Sequence, residues 1–127
     1  MPPHAFARKN GGRFVFKRLG VSDVIALLEP AFNGLLTCGA RIVLTVSPVP
    51  IQTTFSDKDC VVANEYSKSV LRVCADHLSN KDGVDYFPSY EIVRSGGLAA
   101  YIDDQVHVRD DVVRGIVDYM VSVYSAA

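Results

Sequence analysis

The stretch Arg41-Ile42-Val43-Leu44-Thr45-Val46 constrains this chain more than any other. It is a near-continuous apolar run, β-branched at Ile42, Val43, Thr45 and Val46, and it does not alternate regularly between polar and apolar residues. Alternation marks a strand with one wet face, and a continuous run marks a strand covered on both faces, as in parallel sheets. Such a strand needs helices above and below it and a partner strand at each edge. Ser47-Pro48-Val49-Pro50 ends it, because proline has no N–H to give to a ladder. A second short strand is predicted at Val84-Asp85-Tyr86-Phe87, stopped by Pro88. The 127 residues fit one domain by length, and the expected order is helix, strand, helix, strand, helix. That is an α/β arrangement with a parallel pair. Two strands leave at least one edge bare, and parallel sheets are rarely so small. The pieces therefore read as one flank of a larger doubly wound parallel sheet, incomplete on its own.

The helices follow from spacing. Val24, Ile25, Leu27, Leu28, Ala31, Phe32, Leu35 and Leu36 recur at helical intervals, so a helix is predicted from about Asp23 to Leu36, with Ser22 as N-cap. Pro30 inside it should kink or split it, since it removes one backbone donor. A second helix is predicted to open at Asn64, as N-cap, with Glu65 at the positive end of the dipole. Its apolar stripe is Tyr66, Val70, Val73, Cys74, His77 and Leu78, and Ser79-Asn80-Lys81-Asp82-Gly83 closes it. Lys68 and Arg72 read as a like-charged pair on a solvated face. Ser89 to Val93 forms one helical turn. The last helix runs from about Asp110 to Tyr124, on Val112, Val113, Ile116, Val117, Met120, Val121 and Tyr124, with Asp110 and Asp111 favouring its dipole. Residues 1–13, rich in Pro, Gly and basic side chains, read as a loose leader to a domain over 14–127. Phe14 and Phe16 are expected to pin an extended 13–19 segment to a neighbouring surface.

Composition excludes several classes. The net charge is −1 and no basic stretch is long enough to release many phosphate counterions, so nucleic acid is not an expected partner. No apolar run approaches 20 residues and the first residues lack the apolar core of a signal peptide, so neither a membrane nor secretion is expected and the cytoplasm is the default. The cysteines, Cys38, Cys60 and Cys74, are odd in number and widely spaced. They fit no disulfide framework and read as small buried or half-buried thiols. Cys74 and His77 sit i, i+3 on one helix, but a metal would need two further ligands to which the sequence does not point. No metal or other cofactor is expected.

Chemistry concentrates in Ile102-Asp103-Asp104-Gln105-Val106-His107. A carboxylate three residues before a histidine, on a loop, can accept a hydrogen bond from His Nδ1–H, fix the tautomer and leave Nε2 free as a general base. Asp104 and His107 have that spacing, and Asp103 is the second candidate acid, one residue too far. The plainer alternative is an Asx-type turn beside a histidine at a helix start. No nucleophile is evident. Ser47 follows a strand, but the glycines of a Gly-x-Ser-x-Gly elbow are absent and a turn-forming serine is the simpler reading. Because ligands in open α/β sheets lie beyond the carboxyl ends of strands, Ser47, Asn64, Tyr66, Ser67 and Lys68 are placed to line a substrate cleft. Each equally suits a cap or turn.

Three phrases in order carry a resemblance: Val43-Leu44-Thr45-Val46-Ser47-Pro48-Val49-Pro50, then Val62-Ala63-Asn64-Glu65-Tyr66-Ser67-Lys68-Ser69-Val70-Leu71-Arg72, then Val84-Asp85-Tyr86-Phe87-Pro88-Ser89-Tyr90-Glu91-Ile92-Val93. Together they resemble the GSCFA domain family, which looks like a branch of the SGNH (GDSL-type) hydrolase superfamily. The likeness spans about Phe14 to Tyr124 and corresponds to the C-terminal half of the family's domain. The Gly-Ser-Cys-Phe-Ala block, with the serine the superfamily uses as nucleophile, does not occur in this sequence. Neither does the block that helps build the oxyanion hole. The resemblance implies an SGNH- or flavodoxin-like α/β/α sheet, and an acid–base pair at Asp104 and His107. It also implies ester chemistry on an acylated small molecule or glycan. Where the superfamily often has proline and a small hydroxyl residue after the histidine, this chain has Val108 and Arg109, so the usual N-cap of the last helix is missing.

Two functions of different class follow. One is the C-terminal part of an SGNH-type esterase or acyltransferase, with the serine supplied from outside this sequence. Loss of a nucleophile removes ~10⁶-fold of rate, so such a piece is expected to be nearly inert alone. The other is a non-catalytic α/β domain that covers its bare sheet edge in a homo-oligomer or against a partner subunit.

Overall fold

The computed structural model of the protein describes residues 11–13 and 15–125. Gly11–Arg13 form a short 3-10 turn. Helix α1 spans Val21–Thr37, strand β1 Ile42–Leu44, helix α2 Cys60–Ser79, strand β2 Val84–Tyr86, helix α3 Ser89–Ser95 and helix α4 Asp110–Tyr124. Among the described residues this is a mixed α/β architecture of four α-helices and a two-stranded parallel sheet, an incomplete α/β fold. The strands pair Ile42 with Val84, Val43 with Asp85 and Leu44 with Tyr86. The Ile42 amide donates to Gly83 O at 2.9 Å and the Phe87 amide to Leu44 O at 2.8 Å, extending the ladder at both ends.

The core lies where α2 meets the sheet. Val70, Cys74 and Leu78, an i, i+4, i+8 line, are buried together with Ala75, Val84 and Val46. Helix α1 runs along α2 and half-buries Val24, Leu28, Phe32 and Leu36. On the other side, Phe87 is buried against the rings of Tyr119 and Tyr124, 5.7 and 6.3 Å between centroids. Through Phe87 the last helix reaches the sheet.

The capping residues differ from those expected. Helix α1 begins at Val21, two residues before Asp23: Gly20 is its N-cap, Ser22 lies inside, and the Asp23 carboxylate reaches back to accept from the Gly20 amide at 3.0 Å. Pro30 does not split α1, which is continuous to Thr37. Helix α2 starts at Cys60, not beside Asn64, because Asp59 is the better cap: its Oδ1 accepts from the Val61 amide at 2.8 Å. Asn64 is then internal and its side chain is free for other work. The α2 stripe also turns, for Val73 is 52% exposed while Lys68 is buried. Cys38, expected to be at least half-buried, is exposed.

Strand β1 is covered on less of its surface than its apolar run calls for. Its ladder is three residues long, and Val43 is 41% exposed beside the exposed Asp85. In α4, Val112, Ile116, Met120 and Tyr124 are half-buried, while Val113, Val117 and Val121 remain exposed. The apolar strand and the valine-rich face of α4 are thus each only partly covered. Val15 and Phe16 form no strand; Phe16 stays half-exposed while lining a shallow groove with Val24, Val70 and Leu71. Phe14 and most of the proposed leader lie outside the described residues. No described helix is long and apolar enough to cross a membrane.

Candidate functional site

Residues 101–108 form a small hairpin between α3 and α4. Tyr101 and Val108 make an antiparallel bridge, the Ile102 amide donates to His107 O at 2.9 Å, and the Arg109 amide donates to Ala100 O at 2.9 Å. Its tip is the Asp104–His107 turn. Asp104 Oδ1 accepts from the Val106 and His107 amides, both at 2.9 Å, which is an Asx turn. Gln105 adopts φ +56°, the left-handed conformation the tight reversal requires. This geometry swings Oδ2 onto the ring, 2.5 Å from His107 Nδ1. The two readings of the spacing are thus one structure: the Asx turn is what brings the carboxylate to the imidazole.

The electrostatics follow. The hydrogen bond to the His107 ring, then those from the His107 and Val106 amides, hold the Asp104 carboxyl down at about 2. It is ionised at any physiological pH. Its contact requires the Nδ1–H tautomer of neutral His107 and so leaves Nε2 unprotonated. The ring is 67% exposed, and no described group bonds Nε2. Asp103, the other candidate acid, makes no such contact.

His107 borders an apolar groove of about 380 Å³, lined also by Val49, Val93, Val108, Ile116 and Val117. Pro48 and Ser89 are part of the same wall. The loop after β1 and the His107 hairpin, distant in sequence, thus meet at one cleft beyond the carboxyl end of β1, where α/β sheets hold ligands. Ser89 is the hydroxyl of that wall. Its Oγ lies 2.5 Å from Thr45 Oγ1 and 3.3 Å from Val46 O, with no bond to the imidazole.

The remaining site candidates separate into two groups. Ser47, Asn64 and Lys68 converge on the loop after β1. Lys68 Nζ donates to Ser47 O at 2.6 Å and to Val49 O at 2.7 Å, Asn64 Oδ1 accepts from the Ile51 amide at 3.1 Å, and Ser47 Oγ accepts from the Val49 amide at 3.3 Å. Lys68 is not on a solvated face: it is 7% exposed, and burial pulls its ammonium below the ordinary lysine value. Arg72 is likewise engaged, with Glu91 at 2.8 Å and stacked on Tyr86. Tyr66 and Ser67 lie elsewhere. Arg18 stacks on the Tyr66 ring at 4.2 Å, and Ser67 Oγ donates to Ala63 O within its own helix. Neither lines the groove beside His107.

Cys74 and His77 take different partners: Cys74 Sγ donates weakly to Val21 O, and His77 faces Glu29 at 3.8 Å. Among the described residues no group of three or more His, Cys, Asp or Glu side chains is placed to hold a metal ion. The N-cap of helix α4 is Arg109, which makes no side-chain cap bond, as Val108-Arg109 implied; Arg109 instead grips Asp111 with two bonds of 3.0 and 2.8 Å. Residues the sequence reading passed over are Tyr101, whose hydroxyl donates to Pro48 O at 3.1 Å, and the apolar groove wall. The only sequence signal for the wall was the surplus of valine on α4.

Neither a curated protein nor a solved structure matches this chain. The model of the GSCFA family does, over residues 3–120. With nearly the whole sequence inside that match, the chain belongs to the GSCFA family.

Proposed function

We propose that this chain carries the acid–base half of an SGNH-type esterase or acyltransferase centre and corresponds to the C-terminal half of the catalytic domain. The carrying observation is the Asp104 Oδ2–His107 Nδ1 contact on an exposed ring whose other nitrogen has no partner among the described residues. His107 Nε2 takes the proton of a serine hydroxyl as that oxygen attacks the ester carbonyl, then returns it to the leaving alcohol. Asp104 fixes the tautomer and stabilises the imidazolium that forms. The serine comes from a Gly-Ser-Cys-Phe-Ala segment outside this sequence or on a partner chain. The apolar groove beside His107 suits the acyl part of an acylated small molecule or glycan.

The test is co-expression with a segment carrying that motif and assay with p-nitrophenyl acetate. Activity is expected only in the combination, and His107→Ala is expected to abolish it. Restored activity that ignores His107→Ala would overturn the assignment.

A second reading draws on the bare surfaces. The exposed Val43, with the Val113, Val117 and Val121 stripe of α4, favours a domain that docks on a partner or a second copy. The two readings are compatible when the partner brings the serine.

A further inference from the structure

Cys60, Asn64 and Lys68 stand at i, i+4, i+8 along α2, and all three hold the backbone of one loop. Cys60 Sγ donates to Ile51 O at 3.2 Å, Asn64 Oδ1 accepts from the Ile51 amide, and Lys68 Nζ spans Ser47 O and Val49 O. Between those last two carbonyls is Pro48 O, and it takes the Tyr101 hydroxyl. Three successive carbonyls are thus held by side chains from two distant elements. Lys68 faces no carboxylate among the described residues. A buried ammonium without a counter-ion is expensive, and two carbonyls at 2.6 and 2.7 Å are what compensate it.

Tyr101 is the first residue of the hairpin that ends in His107, bridged to Val108. The chain of contacts therefore runs from Lys68 through the 47–49 loop and Pro48 O to Tyr101, and across the bridge to the residue after His107. The Asp104–His107 turn is closed by its own local bonds, but those do not say where it stands relative to the carboxyl end of β1. We infer that Lys68 is a positioning residue, which fixes the loop after β1 so that Tyr101 can seat the His107 hairpin against the groove. Its role is to place the imidazole, with no contact to substrate. This rests on the esterase reading only for what the imidazole then does.

The test is amide hydrogen exchange by NMR on the full chain, with Lys68→Met, Tyr101→Phe and the double variant. Methionine keeps the buried stem and removes the donors; phenylalanine keeps the ring and removes the hydroxyl. The reporters are the hairpin amides of Ile102 and Arg109, and the ladder amides of Ile42 and Phe87 serve as reference. Each single variant is expected to speed hairpin exchange about tenfold, the scale of one lost buried hydrogen bond, with the ladder unchanged. In the Tyr101→Phe background, Lys68→Met is expected to add nothing at the hairpin, because the connection is already cut. The inference is overturned if hairpin exchange does not change. It is equally overturned if hairpin and ladder accelerate alike, or if the two substitutions add. Should Lys68→Met not fold, Tyr101→Phe alone still decides whether the loop seats the hairpin. No substrate is involved, so failure of the esterase reading leaves this result interpretable.

Discussion

At the scale of single residues, the Asp104 turn determines what His107 can do. The Asp104 carboxyl is held at about 2 in the folded chain, below its ordinary value near ~4. A depressed folded pKa means that the contribution to stability is fully present above the unfolded value and is lost as pH falls through the folded one. The Asp104–His107 turn is therefore expected to loosen between about pH 4 and pH 2, and to be insensitive to Asp104 at higher pH. Chemical shifts of the Val106 and His107 amides, followed through an acid titration, check this. A midpoint near the ordinary carboxylate value would show that the carboxylate is not held by the ring. Gln105, at φ +56°, sits where glycine is at ease and other residues are not. Gln105→Gly is expected to keep the Asp104–His107 contact and to gain up to ~1 kcal/mol in denaturant unfolding. A loss of stability there would mean that the Gln105 side chain has an unrecognised role.

At the scale of elements, the sequence was most legible where pattern and capping agreed. Helix α4 runs Asp110–Tyr124 as its valine spacing predicts, and β1 and β2 pair in parallel as the apolar run requires. The Asp104–His107 pair was legible because its contact is local, closed within one turn. The misread boundaries have a common cause: a capping residue is chosen by tertiary docking as well as by type. Asn64 looks like an N-cap, yet Asp59 caps α2 and leaves Asn64 to hold Ile51. Lys68 read as solvated because nothing local reveals that a loop 20 residues earlier lies over it. The groove and the Pro48–Tyr101 bond were illegible for the same reason. Asp59→Ala is expected to cost about 0.5–2 kcal/mol, seen as a lowered denaturant midpoint. Gly83, at φ +82° with a Leu36 methyl 3.0 Å from where a Cβ would stand, joins α2 to β2. Gly83→Ala is expected to cost at least ~1–2 kcal/mol by the same measurement. A neutral result would mean that the turn can be remade without the left-handed residue.

At the scale of the whole molecule, two exposed apolar surfaces among the described residues bear on the docking reading. One is the Val43 side of β1; the other is the Val113, Val117 and Val121 stripe of α4, 44, 45 and 49% exposed. Both belong to elements whose opposite sides are at least half-buried, and on the docking reading proposed above the surplus would serve a second layer of contacts. Val117→Asp is expected to leave unfolding of the isolated chain nearly unchanged, within about 0.5 kcal/mol, because the site is already wet. It is expected to weaken association with the chain or segment that supplies the serine, read by analytical ultracentrifugation of the mixture. Unimpaired association would move the docking surface elsewhere. The groove beside His107 links these surfaces to the chemistry, since the same helix, α4, forms its wall. The central claim is that Asp104 and His107 serve a hydroxyl supplied from beyond this sequence. The most direct test is the rate of p-nitrophenyl acetate hydrolysis by the chain combined with its Gly-Ser-Cys-Phe-Ala partner, compared between the unaltered chain and His107→Ala. A fall on the order of 10⁵- to 10⁶-fold is expected, and a rate within about twofold of the unaltered combination would contradict the claim.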